Sequence, residues 1–245
     1  MKQRELRSQG CGDVEIHGRA WLPEHEPRAL VVISHGLGEH CGRYEGLAGR
    51  LVNAGYAAYA IDHRAHGRSG AAAPANIGRF EFLVSDLGTF IGRAQREHPG
   101  VPTILVGHSM GGLVALDCAL RNPRVLQALV LSAPALAAEA VPTFKLLLAK
   151  LMSRIAPNAG ALVLEAASVS RDAAVVRAYQ QDPLVFHGSI PSRTVVELLA
   201  AMESVASRAN SLKLPVLVQH GTADRLVPLA VVQPVYARLG EQKLR

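Results

Sequence analysis

A serine stands between glycines in Gly107-His108-Ser109-Met110-Gly111. A serine hydroxyl is a weak nucleophile at neutral pH. To attack a carbonyl carbon it needs a base for its proton, an acid to orient that base, and N–H donors for the oxyanion. Glycines two residues before and after such a serine allow a tight strand-to-helix turn in which a side chain would strike neighbouring backbone. The flanks fit: Thr103-Ile104-Leu105-Val106 reads as a strand and Leu113 to Leu120 as an apolar helix. The turn would aim the free N–H groups of that helix at the reacting oxygen. A dinucleotide-binding loop requires G-x-G-x-x-G, whereas this one reads G-x-x-x-G-G, so that reading fails.

The partners of Ser109 can be sought in the same way. After the apolar run Ala29 to Ser34 comes His35-Gly36-Leu37-Gly38-Glu39-His40, where a second oxyanion N–H is expected, making the backbone N–H groups of Leu37 and Met110 the donor pair. The acid should follow a later strand. Pro215 to His220 leads into Gly221-Thr222-Ala223-Asp224, so Asp224 is the candidate, with helix N-capping as its structural alternative. Asp62, Asp86, Asp117 and Asp182 are weaker, because they precede the nucleophile, lie in its helix or sit in an insertion. All ten histidines precede Asp224, whereas the triad order of this chemistry is serine, acid, histidine. His220 is the nearest substitute. Removing the histidine of a serine protease costs about 10⁶ in turnover and leaves roughly 10³ to 10⁴ over water. His35, His40, His63 and His66 invite a metal reading, but their spacings of five and three on separate loops match no zinc pattern. No metal and no cofactor is expected.

These residues need a scaffold, and the chain has its signature. Short apolar runs, Ala29 to Ser34, Tyr56 to Asp62, Pro102 to Gly107, Ala128 to Ser132 and Pro215 to His220, alternate with segments of helical period. The helical segments are Tyr44 to Ala54, Leu83 to His98, Met110 to Asn122 and Pro228 to Leu239. This predicts an α/β fold, a mostly parallel sheet with helices on both faces. Val14 to Leu22 alternates like a half-exposed strand and should start an antiparallel edge. From 135 to 209 there is no convincing strand, only helical material broken by Pro142, Pro157, Pro183 and Pro191. The expected organisation is a core of 1–134 and 210–245, a helical cap of 135–209, and one domain overall. In the cap, Phe144, Leu147, Leu148, Leu151, Met152 and Ile155 share a helical face away from Lys145, Lys150 and Arg154. Packing of that face on the body is the expectation, with a membrane-touching lid as the alternative.

Composition excludes several classes. With 245 residues, 49% hydrophobic and 19% charged, the chain can bury a full core. Its charge of +6 comes from scattered arginines with only 4% aromatics, which argues against nucleic acid as a partner. Met1 to Arg7 is charged with no apolar stretch behind it, so a secretory signal is not expected and a cytoplasmic location is. Cys11, Cys41 and Cys118 match neither a disulfide framework nor a zinc site.

Taken together, His35-Gly36-Leu37-Gly38-Glu39-His40-Cys41-Gly42-Arg43-Tyr44, Asp62-His63-Arg64-Ala65-His66-Gly67-Arg68-Ser69, Gly107 to Gly112, Asp182-Pro183-Leu184 and Gly221 to Arg225 resemble the bacterial monoacylglycerol lipase and lysophospholipase family. The similarity runs from about residue 13 to the last residue. The resemblance implies the α/β-hydrolase fold and a serine hydrolase of single-chain lipid esters, foremost monoacylglycerols. Lysophospholipase, short-chain esterase and thioesterase activities stand as alternatives, as does lipid binding without turnover. It matches Ser109 to the nucleophile, Asp224 to the acid, Leu37 and Met110 to the oxyanion donors, and the insert to a mobile lid over an acyl tunnel. The implied partner is a small-molecule lipid ester, with transient contact of the cap with a membrane surface. Two residues depart from the pattern, Cys41 where the family often has serine and Ala65 where it usually has glycine; Cys41 invites thiol inactivation. Leu239 to Arg245 reads as a helix end and the start of a final strand. The expectation is therefore a chain without its catalytic histidine, last strand and last helix, nearly inert and poorly soluble.

Overall fold

The computed structural model describes residues 1–71, 73–139 and 143–239. Its centre is a seven-stranded sheet. In chain order come β1 (Lys2–Gln9), β2 (Glu15–Leu22), β3 (Leu30–Ser34), α1 (Glu45–Asn53), β4 (Ala57–Ile61), α2 (Phe80–Glu97), β5 (Thr103–His108), α3 (Met110–Arg121) and β6 (Ala128–Ser132). A second stretch follows with α4 (Thr143–Ile155), β7 (Gly160–Leu162), α5 (Ala173–Gln181), β8 (Ile190–Pro191) and α6 (Ser192–Arg208). The chain then returns through β9 (Val216–Gln219) to α7 (Leu229–Tyr236). Strands lie in the order β1-β2-β4-β3-β5-β6-β9, antiparallel at the β1 and β2 end and parallel from β4 onward.

The apolar runs become parallel strands because helices cover both faces. In β3, Leu30 and Val32 join the core beneath α2 and α3, while Val31 and Ile33 join a second core with Trp21, Ala48 and Val52 under α1. Both sets must be apolar, which is why the run shows no alternation. Among the described residues no helix is long and apolar enough to cross a membrane.

Three features differ from the sequence expectations. The first is β1, whose Lys-Gln-Arg-Glu-Leu-Arg-Ser-Gln carries no apolar period and buries only Leu6. It pairs with β2 along its whole length and is tied down by side chains, Arg4 to Glu97, Arg68 to Glu5 and Arg7 to Glu15. Charge on this outer strand also blocks edge-to-edge pairing. The second is a small antiparallel ladder, β7 with β8, inside the stretch read as purely helical. Two or three residues including Gly160 and Pro191 are too short to show a period of two.

The third is the orientation of α4. Leu147, Leu148, Leu151 and Ile155 are 69, 57, 53 and 69% exposed, whereas Ser153 is 3% exposed. The helix lies against α6 through its smaller face, with Ala149, Met152 and Ser153 turned inward, and its large apolar stripe faces out. This overturns the expected packing of that stripe on the body. A periodic stripe states that one side is apolar, not which phase it meets. The side chains of Phe144 and Lys145, Pro142, and the expected strand start at 240–245 lie outside the described residues.

Candidate active site

β5 runs into α3 through Ser109, whose backbone is at φ 50° and ψ −119°. A non-glycine residue there is strained by about 1–3 kcal/mol, held only because surroundings over-determine it. Those surroundings are specific. The Ser109 N–H donates to Ser132 O at 3.0 Å, and Ser109 O accepts from Gly112 at 2.9 Å and from Ala135 at 3.0 Å. A Cβ on Gly107 would lie 2.7 Å from Ala115 Cβ, one on Gly112 would lie 2.6 Å from Pro134, and one on Gly111 would overlap the Ser34 and His35 carbonyl oxygens. The glycines thus let α3 start hard against the ends of β3 and β6, presenting a half-buried Ser109 at the sheet's carboxyl edge.

Met110 opens α3, so its N–H has no acceptor one turn earlier, and no side chain caps this helix. The loop from β3 passes beside it: a Cβ on Gly36 would sit 3.3 Å from Ser109 Cβ. The segment carrying Leu37 and the one carrying Met110 therefore flank the serine. That loop is fixed from within by Glu39, a buried carboxylate to which the sequence reading gave no role. Its Oε1 accepts from Gly36 N–H and Tyr44 O–H, each at 2.7 Å, and its Oε2 from Arg43 at 3.0 Å. Burial works to raise this carboxyl group, but His108, His35 and its hydrogen-bond donors outweigh burial and keep it below the ordinary value.

The second stretch grips the same loop. His40 Nδ1 accepts from the Gly42 N–H, so its Nε2–H donates to Asp182 at 2.8 Å, while Phe186 N–H donates to Gly38 O at 2.7 Å. Arg43 stacks on the Tyr179 ring at 5.0 Å. Asp182, a rejected acid candidate, is thereby a strut between the insertion and the loop.

Asp224 lies in the turn after β9. Its Oδ1 accepts from the N–H groups of Leu226 and Val227, both at 2.9 Å, which closes a turn ahead of α7 instead of capping that helix, whose N-cap is Pro228, and its Oδ2 lies 3.6 Å from His220 Nε2. His220 is spoken for: Nε2–H donates to Val227 O at 2.7 Å, and Nδ1 accepts from Tyr236 O–H at 2.6 Å. A ring with both nitrogens engaged holds no lone pair for a serine proton. Among the described residues no ring nitrogen hydrogen-bonds the Ser109 hydroxyl.

The other histidines act as framework. His63 N–H donates to His35 Nε2 at 2.9 Å, so the His35 proton is on Nδ1, donating to Gly36 O at 2.7 Å. His66 donates to Arg64 O, and His63 pairs with Ser34 Oγ. Burial pushes all three below the ordinary imidazole value, His63 well below it and His66 to about 4. Cys41 is 1% exposed and burial pushes its thiol far up, so the expected thiol inactivation finds no reactive thiolate.

The arrangement corresponds to known proteins along nearly the whole chain. Residues 25–245 match the family described as serine aminopeptidase, S33. A monoacylglycerol lipase of Mycolicibacterium smegmatis is 42% identical over 222 residues, covering 90% of this chain and 79% of the lipase. The human monoglyceride lipase is 35% identical over 210 residues, covering 85% and 69%. Among solved structures, that of the Paleococcus ferrophilus monoacylglycerol lipase superposes with a TM-score of 0.79 at 30% identity, covering 99% of this chain and 87% of that one. The strained serine elbow, the loop beside it and these matches agree: the chain belongs to the serine aminopeptidase S33 family of α/β-hydrolases.

Proposed function

We propose that this protein hydrolyses carboxylic esters of single-chain lipids, foremost monoacylglycerols, through an acyl-enzyme on Ser109. The observation that carries the reading is the Ser109 elbow at φ 50° beside the Gly36–Leu37 loop. Ser109 Oγ attacks the ester carbonyl, the N–H groups of Leu37 and Met110 hold the oxyanion, and water then releases the fatty acid. Asp224 has one oxygen, Oδ2, left to orient an imidazolium. The base itself is not positioned by the described residues, since His220 is engaged at both nitrogens. Lipid binding without turnover is accordingly the second reading.

An open, mostly apolar groove of about 280 Å³ lies between Leu136, Ala137, Leu199 and Met202, with Glu139 and Glu203 also lining it, starting one residue after the Ala135 N–H that holds the serine carbonyl. That is near the low end of small-molecule pockets, roughly 300–1,000 Å³, and suits one acyl chain. Residues 135–209, whose two ends line this groove, act as the lid, and the outward stripe of α4, with Lys150 and Arg154 exposed beside it, rests on an anionic lipid surface. Three unpaired cysteines, two of them buried, fit a reducing, cytoplasmic compartment.

A fluorophosphonate probe tests the nucleophile. Labelling should map to Ser109 and vanish in Ser109→Ala; equal labelling of the variant would refute the assignment. A panel of monoacylglycerols, lysophospholipids, short-chain esters and thioesters, each assayed with imidazole supplied as the base, then separates the alternatives, the first being turned over fastest.

A further inference from the structure

His17 on β2, Cys41 at the turn before α1 and Asp62 at the end of β4 converge from three separate segments. They are 3, 1 and 1% exposed. One ligating atom from each lies within 4.8 Å of the other two, and among the described residues no other trio does this. Imidazole, thiol and carboxylate together suit a zinc-class ion, which takes all three donor types. Hard cations such as magnesium would not favour the sulfur.

The surroundings of the trio are those of a ligand set. His17 Nδ1 is 3.0 Å from Asp62 Oδ2, and on the far side Nε2 is 3.2 Å from Glu5 Oε2. A ligating imidazole commonly has such a carboxylate behind it, fixing ring and tautomer. Asp62 is held in place as well, with Oδ1 accepting from Cys41 N–H at 2.6 Å and Oδ2 from Arg68 N–H at 2.9 Å. Cys41 stands where the resembled family often has serine, so the sulfur ligand is a feature of this chain.

We propose that His17 Nδ1, Cys41 Sγ and an Asp62 oxygen form a buried site for a thiophilic divalent cation of the zinc class. A ring facing two carboxylates donates from both nitrogens, so the ion replaces two protons, one on Nδ1 and one on Sγ. Both leave to water as the metal–nitrogen and metal–sulfur bonds form. The charge of the buried cluster is unchanged, so Arg19 and Arg68, which pair with Glu5 beside it, do not oppose binding. No electron is transferred. The ion would tie β2 and the end of β4 to Cys41, one residue beyond the His40 strut, and so brace the loop that carries Leu37. Its role is structural.

The test needs no catalytic activity, so it stands apart from the assignment of Ser109. Protein stripped with EDTA is titrated with Co²⁺ or Cd²⁺ and followed by thiolate-to-metal charge-transfer absorbance, and its thermal unfolding is recorded with and without Zn²⁺. The expected result is a thiolate band saturating at about one equivalent and a Tm rise of several degrees with zinc. Cys41→Ser should keep the apo Tm and lose both band and shift. Glu5→Gln should keep the band but weaken binding by about 10–100-fold. No thiolate band in the unsubstituted protein, or a zinc shift undiminished in Cys41→Ser, overturns the proposal.

Discussion

Ser109 shows how much chemistry a backbone conformation can carry. Its strained φ holds it half-buried at the apex of the turn, and the three glycines around it are required because each missing Cβ is space occupied by another segment. Ala65 shows the opposite situation. It has φ 65° where the resembled family usually has glycine, and an L side chain in that region costs roughly 1–2 kcal/mol. Ala65→Gly should therefore stabilise the protein by about 1 kcal/mol net of the extra chain entropy of glycine, read as a higher urea midpoint at constant slope. An unchanged or lower midpoint would show that the strain is relieved elsewhere. Ser109 was legible in the sequence because glycine spacing is local. Glu39 was not, since a charged loop residue reads as solvated, and its donors at Gly36, Arg43 and Tyr44 converge only after the loop closes on itself.

At the scale of elements, parallel strands could be read from apolar runs, while β1 could not, because its pairing rests on backbone bonds and ion pairs with distant residues. The same limit applied to α4, where an amphipathic stripe was visible but its partner phase was not. Burying a large aliphatic side chain contributes about 1.5–3 kcal/mol, so four left exposed on one helix form a surface that a lipid phase would stabilise. Leu147→Glu and Leu151→Glu together should reduce co-sedimentation with anionic vesicles by tenfold or more while leaving thermal unfolding nearly unchanged. Vesicle binding equal to that of the unsubstituted chain would remove α4 as the contact.

For the whole molecule, the buried imidazoles set a pH dependence. His35, His63 and His66 have folded values below the unfolded value of 6.5, so the unfolded chain takes up protons first as pH falls. Their stability contribution is complete above about 6.5 and is lost toward the folded values. For His66, displaced to about 4, the loss is about 3 kcal/mol. His17 runs the other way. The Asp62 hydrogen bond raises it, and its contribution is full below about 6.5 and fades as pH rises through the folded value. Three groups against one give a net loss on acidification, a sizeable part of a typical 5–15 kcal/mol. Urea midpoints should fall between pH 7 and pH 5; a flat profile would mean that the cluster admits protons when folded.

The same scale holds the central question, whether a hydrolase framework with an engaged His220 can turn over ester. The family, the sheet and the serine elbow were legible in sequence because they rest on local pattern. The state of His220 was not, because Tyr236 and Val227 reach it only in the folded chain. The most direct measurement is the hydrolysis rate of a 4-nitrophenyl acyl ester as imidazole is added, after subtracting the rate with Ser109→Ala. With Ser109 in place and His220 engaged at both nitrogens, the difference should start near zero and rise to saturation with imidazole. Rates equal in the two proteins at every imidazole concentration would contradict the account.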